Sequence, residues 1–319
     1  MSGAERGDVT GAPAPPPPPS GGDPPGPAGV RGGGTAQIVQ RGFQRYEGDR
    51  AGVGGAIRSV AWQSVRATLG IGRPARHKIF PVIAVGIAYI PAIVFVGLSV
   101  LVGDLLDPNE IADYASYYGF VTAAILLFAG LVAPEVLVGD RRNGMLAMYL
   151  STPLHRGTYL VAKLVAVLAT LALVTLGPPL LVLIGYTFEN VGPDGFDGWM
   201  SVLGRIVVSS FAVSGALTAI SMAAASLTDR RAFASIGVVL LALASPAVAS
   251  ALVDGAGLSP RWRLIDAFSM PFELVYRIFG ERGSFPELST WSVVAVNIAW
   301  IVAGAAVVVW RYSRLVIAR

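Results

Sequence analysis

Few side chains in this chain could capture a nucleotide or break a bond, and each can be checked against its neighbours. A triphosphate-cradling loop needs Gly-x-x-x-x-Gly-Lys-Ser/Thr, whose backbone amides hold the phosphates while the lysine reaches them. The chain has only Lys78 and Lys163, preceded by His77 and Ala162. Neither fits, so a P-loop ATPase is excluded. His77 and His155 lie far apart, which disfavours a histidine-rich metal site. There is no His-Glu-x-x-His and no Gly-x-Ser-x-Gly, so metalloprotease and nucleophile-elbow chemistry have no carriers. The absence of cysteine removes disulfides, thiolate metal sites and cysteine nucleophiles. Arg205 and Asn297 are polar residues inside otherwise apolar stretches. Arg205 is expected to snorkel to the outer interface, with a substrate contact as the alternative. Asn297 is expected to hydrogen-bond between helices rather than bind a ligand. A proton-coupled carrier usually needs carboxylates at mid-membrane, and none is evident.

The elements holding these residues are long and apolar. Over half of the 319 residues are hydrophobic (54%) and 14% are charged, against about a quarter charged in a soluble domain. A helix needs about 20 apolar residues to cross the hydrocarbon core. Six segments qualify, at about 79–102, 116–134, 159–188, 199–227, 232–253 and 288–310. Pro178-Pro179 predicts a kink or break in the third. Only residues 228–231 separate the fourth and fifth, which predicts a tight helical hairpin. Ahead of the spans, residues 54–70 carry Ile57, Val60, Ala61, Val65 and Leu69 on one helical stripe, with Trp62 at its edge and Arg58 and Arg66 off it. That pattern suits a helix lying in the headgroup plane, with a short soluble helix as the alternative. Residues 264–279 are apolar but too short to span and suggest a re-entrant or interfacial segment. Residues 1–35 are rich in proline and glycine. They have little apolar surface to offset the entropy of ordering, so a disordered tail is expected. No basic region followed by an apolar one marks a cleaved signal peptide.

Charge sets the orientation. Nine Lys/Arg lie between Arg31 and Lys78, ahead of the first span, and Arg141, Arg142, Arg156 and Lys163 follow the second. Arg230 and Arg231 follow the fourth, and Arg311, Arg314 and Arg319 the sixth. The loops after the first and third spans carry only acids, among them Asp104, Asp107, Glu189 and Asp194. The alternation predicts both termini inside. It also explains the net charge of +4 without a nucleic-acid patch, because the arginines are spread along one face.

The second inner loop is the informative stretch. Glu135 is followed by the charged turn Asp140-Arg141-Arg142-Asn143-Gly144, the short apolar run Met145, Leu146, Met148, Tyr149 and Leu150, and then Ser151-Thr152-Pro153. So much apolar surface on a short loop element either packs on its own spans or wants a partner groove, and methionines suit a docking face.

This pattern, Asp-Arg-x-x-Gly-x-Leu with Tyr-Leu, Ser-Thr-Pro-Leu and a downstream lysine, resembles the loop between the second and third spans of ABC-2-type ABC transporter permeases. The six-span layout, the amphipathic N-terminal helix, the fourth-to-fifth hairpin and the re-entrant segment match as well. The resemblance implies that 140–144 form the turn into a coupling helix and that 145–150 form its docking face on an ATPase subunit. Thr152-Pro153 would end that helix, and Glu135 matches an acidic residue frequent at the inner end of the second span. A long Pro-rich N-terminal tail departs from the family pattern.

The expectation is therefore an all-α integral membrane protein with six transmembrane helices, an interfacial amphipathic helix, a cytoplasmic coupling helix and an outer re-entrant segment. Residues 1–35 form a disordered cytoplasmic tail, 36–78 a cytoplasmic segment with the interfacial helix, and 79–319 the permease domain. The resemblance implies an exporter subunit in the plasma membrane with no cofactor of its own. ATP would be bound by separate P-loop ATPase subunits, and a second copy or a related permease would complete the pathway within the lipid. The rivals are a secondary carrier and a non-transporting anchor or sensor that recruits a cytoplasmic partner.

Overall fold

The structure, a computed structural model, describes Gly48 and residues 52–72, 74–75, 78–102 and 114–314. The Pro-rich tail, the basic residues Arg73, Arg76 and His77, the acidic loop at 104–113 and Arg319 lie outside the described residues. Residues 52–314 belong to one unit, and no strand occurs among the described residues.

The amphipathic stripe forms α1, Gly52–Thr68, which buries Val60, Ala61, Ser64 and Thr68 and leaves Trp62 exposed. The spans follow: α2 is Ile79–Val102 and α3 is Tyr117–Ala133. Helix α3 does not stop at Pro134. It runs through a π turn, Pro134–Val138, into α4, Gly139–Arg142. A proline inside a helix removes one amide donor and crowds the preceding turn, and the wider π turn absorbs both effects. After α5, Met145–Leu150, the third span is split into α6, Arg156–Thr175, and α7, Gly177–Phe188. Next come α8, Gly195–Leu227; α9, Arg231–Ser250, followed by the π turn Ala251–Gly255; α10, Ser269–Phe279; and α11, Thr290–Ser313. Among the described residues six helical stretches are long and apolar enough to cross a membrane. Each overlaps one of the six segments expected from hydropathy.

The break between α6 and α7 has a chemical cause. Pro179 has no amide hydrogen, so the Thr175 carbonyl loses its usual donor. The Ser210 hydroxyl replaces it at 2.8 Å, and Ser210 is in turn 2.8 Å from the Tyr118 hydroxyl. The Tyr89 hydroxyl likewise donates to the Leu173 carbonyl at 3.1 Å. Side chains from two other spans, Ser210 of α8 and Tyr89 of α2, thus satisfy backbone that water would satisfy in a soluble protein.

Helix α8 is the hub, packing against α3, α6, α7, α9, α10 and α11. Its contact with α11 is close because Gly304 faces Ala219: a β-carbon at 304 would lie 2.7 Å from the Ala219 carbonyl oxygen. Small residues are what let membrane helices approach this closely.

Hydrogen bonds and ion pairs bring Glu135, Arg141, Arg156, Arg231 and Ser313 to one end of the bundle, the arginine-rich end. At the opposite end α10 folds back against α8 and α11. There Asp266 accepts from the Phe268 and Ser269 amides at the start of α10 and from Ser245. The buried Glu273 pairs with Arg277 at 2.8 Å. Asn297 donates to the Met270 carbonyl at 3.0 Å, joining α11 to α10. Arg205 donates to the Phe279 carbonyl at 2.9 Å and so ties α8 to the end of α10.

Candidate functional site

The loop at the arginine-rich end is built around two sharp changes of direction. Gly144, at φ +66°, ends the α4 turn in a left-handed conformation that glycine adopts without steric cost. Helix α5 starts directly after it. Ser151 and Thr152 turn their hydroxyls back onto the carbonyls of Met148 and Tyr149, and Pro153 follows. His155 then caps α6: its Nδ1 accepts from the Gly157 and Thr158 amides, and its own amide donates to Thr158 Oγ1. This reciprocal arrangement is that of a capping box.

The six residues of α5 divide into two faces. Leu146 and Tyr149 pack against the buried cluster of the bundle, and Tyr149 also touches the Val60 and Leu154 cluster beneath α1. Ala147 and Met148 point outward, Met148 with 59% of its surface exposed. Met145 and Leu150 are intermediate, while Arg142, Asn143, Gly144 and Pro153 are exposed.

Beneath α5 lies a buried ion pair. Lys163, in the second turn of α6, is 1% exposed, and its ammonium is 2.5 Å from Asp140 Oδ2. The same nitrogen donates to the Ser64 hydroxyl of α1 at 2.8 Å and lies over the rings of Tyr149 and Tyr159 at 5.1 and 5.4 Å. Tyr159 donates to Asp140 Oδ2 at 3.1 Å. Burying an ammonium costs several kcal/mol, about what a close carboxylate, a hydroxyl and two ring faces can offset together. Burial, with the Asp140 carboxylate nearby, pushes the Tyr149 phenol above its ordinary range and keeps it neutral.

Two loop arginines reach across to the C-terminal ends of other spans. Arg141 donates to the Ala225, Ser226 and Thr228 carbonyls of α8 and its turn. Arg156 donates to the Tyr312 and Ser313 carbonyls of α11 at 3.3 and 2.9 Å. The last carbonyls of a helix lack intrahelical donors and carry partial negative charge, so guanidinium groups suit them. Glu135 pairs with Arg231 at the start of α9. A β-carbon at Gly139 would lie 2.9 Å from that guanidinium, so the glycine gives Arg231 its room. A half-open pocket of about 190 Å³ lies here, lined by Ser64, Glu135, Asp140, Tyr149, Lys163 and Arg231 among others. It falls below the about 300–1,000 Å³ usual for small-molecule and cofactor sites.

Of the residues singled out in the sequence, the structure gathers Asp140 and Tyr149 around Lys163 and sends Arg141 to α8 and Glu135 to α9. Arg142, Gly144 and Met148 stay at the surface. Sequence reasoning missed the Lys163–Ser64 contact and both arginine caps. One signal was present: a lysine at the start of an apolar span needs a carboxylate within reach, and Asp140 is the nearest acid in the adjoining loop.

Comparison with known families matches the description "ABC-2 family transporter protein" over residues 99–311, about two thirds of the chain. No curated protein matches it. The match runs from the end of α2 to the last turn of α11 and takes in the whole arginine-rich loop. The chain therefore belongs to the ABC-2 transporter family, as a multi-pass membrane permease subunit of the ABC exporter type.

Proposed function

We propose that this permease converts ATP hydrolysis by separate ATPase subunits into substrate efflux, and that α5 is the element those subunits grip. The observation that carries the reading is the pairing of an outward Met148 with an inward lattice. A push on α5 reaches α6 and α1 through Tyr149, Asp140, Lys163 and Ser64. Through the adjoining Arg141 and Arg156 it reaches α8 and α11. A ligand-driven change needs contacts that differ between two states, and this lattice offers a chain of them from the loop into four helices. The chain contains no P-loop lysine, so energy drawn from ATP has to come through a partner.

In this reading the arginine-rich end is cytoplasmic, both termini are inside the plasma membrane, and two copies or one copy with a related permease enclose the pathway. Amphipathic or lipid-like compounds are the expected cargo.

The test is affinity purification from the native host's membranes in mild detergent. A P-loop ATPase and ATPase activity should co-purify with the wild-type chain. Met148→Glu, at an exposed position, should insert normally but lose the ATPase about tenfold or more, as expected for a charge placed at an interface centre. Undiminished ATPase recovery with Met148→Glu would refute the grip. Efflux by the purified chain without any ATPase would favour a secondary carrier instead. A reporter fused after Arg319 should be cytoplasmic and one within 104–113 external.

A further inference from the structure

The third span is one apolar run in sequence but two bodies in packing. Helix α6 lies mainly against α1 and α8, whereas α7 lies mainly against α2. Two glycines set the second contact. A β-carbon at Gly177 would overlap the Tyr89 hydroxyl, and one at Gly185 would overlap the Val96 side chain. The two contacts run in the same order along both helices, so α7 is seated on α2 over about two turns. Helix α6 is seated elsewhere, because Lys163 ties it to Ser64 of α1 and to Asp140.

Between the two bodies little helical bonding resists bending. Pro178 and Pro179 have no amide hydrogen, so the Val174 and Thr175 carbonyls lose their usual donors. Hydroxyls span the break instead. Ser210 of α8 donates to the Thr175 carbonyl, and the Tyr118 hydroxyl of α3 lies 2.8 Å from the Ser210 oxygen. Thr175, Ser210 and Tyr118 are all buried. Second acceptors are already at hand. The Ile206 carbonyl is 3.4 Å from the Tyr118 hydroxyl. The Thr175 hydroxyl lies 3.2 Å from the Leu171 carbonyl and 3.4 Å from the Ser210 carbonyl. A small change of angle can therefore exchange partners without stranding a buried polar group, which is the main cost of moving backbone inside a membrane.

We infer that the third span is jointed at residues 176–179. Helix α6 tilts as a lever together with α1, α7 stays on α2, and Ser210 is the latch. From Val161 to Leu176 the lever rises about 22 Å, so a tilt of about 10° carries Val161 sideways by about 4 Å. The joint stands on this packing; that the loop drives it rests on the grip proposed for α5.

The test is pulsed electron spin resonance on the full-length chain in nanodiscs. The chain has no cysteine, so introduced cysteines carry the only labels, and dilution into unlabelled chain keeps one pair per assembly. Ile83→Cys/Val161→Cys measures α6 against α2, and Ile83→Cys/Ile184→Cys measures α7 against α2. The three positions are each about half exposed. In the chain alone, Ser210→Ala should widen the first distance distribution and leave the second as it is. Pro178→Ala/Pro179→Ala restores two amide donors and should narrow the first, which gives a reading even where Ser210→Ala does not fold. In the assembly with its ATPase, a non-hydrolysable ATP analogue should shift the first distance by about 4 Å, the lever estimate above, and leave the second fixed. A first distribution that neither latch variant alters would overturn the joint. So would equal changes in both pairs, because α7 would then not be held by α2. A joint that loosens in Ser210→Ala but ignores nucleotide in the assembly would refute the grip on α5 and leave the joint standing.

Discussion

Both ends of the bundle bury charge, but they wire it differently. At the α10 end the buried ion pair is local, while hydrogen bonds involving Ser245, Arg205 and Asn297 tie that end to α9, α8 and α11. Glu273 and Arg277 share one helix at i,i+4, and Asp266 caps the helix that follows it. At the arginine-rich end the charges beneath and beside α5 cross to other elements: Lys163 to α1 and α4, Arg141 to α8, Arg156 to α11 and Glu135 to α9. The first arrangement keeps its ion pair within one helix, so that pair can be disturbed without breaking an ion pair between spans. The second ties five helices to one loop and leaves one short helix projecting from it. A region that must pass on a displacement needs cross-element bonds, because a bond within one helix moves with that helix and transmits nothing.

The largest expected effect tests whether both pairs matter for folding while only one matters for coupling. Lys163→Met strands Asp140, and Arg277→Met strands the buried Glu273; each should cost about 3–5 kcal/mol, seen as a lower unfolding temperature in detergent. Lys163→Met/Asp140→Asn and Arg277→Met/Glu273→Gln should each recover much of that loss. Substrate-stimulated ATPase activity of the assembled transporter should then separate them, abolished in the first double variant and retained in the second. Equal loss in both would erase the distinction between the ends.

Arg141→Gln comes next. It removes a charged donor from three carbonyls and should cost about 1.5–3 kcal/mol, with faster amide exchange confined to the last turn of α8 and the 228–231 turn. Exchange unchanged there would mean the cap is not a link. Asn297→Leu is a smaller perturbation, at the cap end: a buried amide bond between membrane helices is worth about 0.6 kcal/mol on average. The melting temperature should fall slightly, with ATPase coupling intact. Smallest in reach is His155→Ala, which removes one N-cap at about 1 kcal/mol or less; proteolysis at the start of α6 should rise while the span stays inserted. A collapse of the whole bundle would show that the loop is more than a connector.

The split of α5 shows how far the sequence could be read. Its apolar composition and its flanking Gly144 and Pro153 are local signals, and they suffice to place a short helix there. Which residues face outward is not local. Tyr149 turns in because Lys163, Tyr159 and the α1 packing layer receive it, whereas Met148, one position earlier, stays exposed. The same holds for Arg141 and Arg142: adjacent and chemically identical, one is spent on the carbonyls of α8 and the other remains at the surface. A helix places neighbours about 100° apart, and only the surrounding helices determine which direction is occupied.

By itself, the sequence determined that the chain carries six apolar spans and a break at Pro178-Pro179, because a 20-residue apolar run and a missing amide hydrogen act on the nearest turn of chain. It also excluded a P-loop, because neither Lys78 nor Lys163 follows a glycine. Only the tertiary structure decided that Lys163 donates a hydrogen bond to Ser64, 99 residues away, and that small residues on α8 and α11 leave a groove beside α6. Those outcomes depend on which helix faces meet, and in a membrane, where every span is greasy on all sides, hydrophobic pattern carries little of that information.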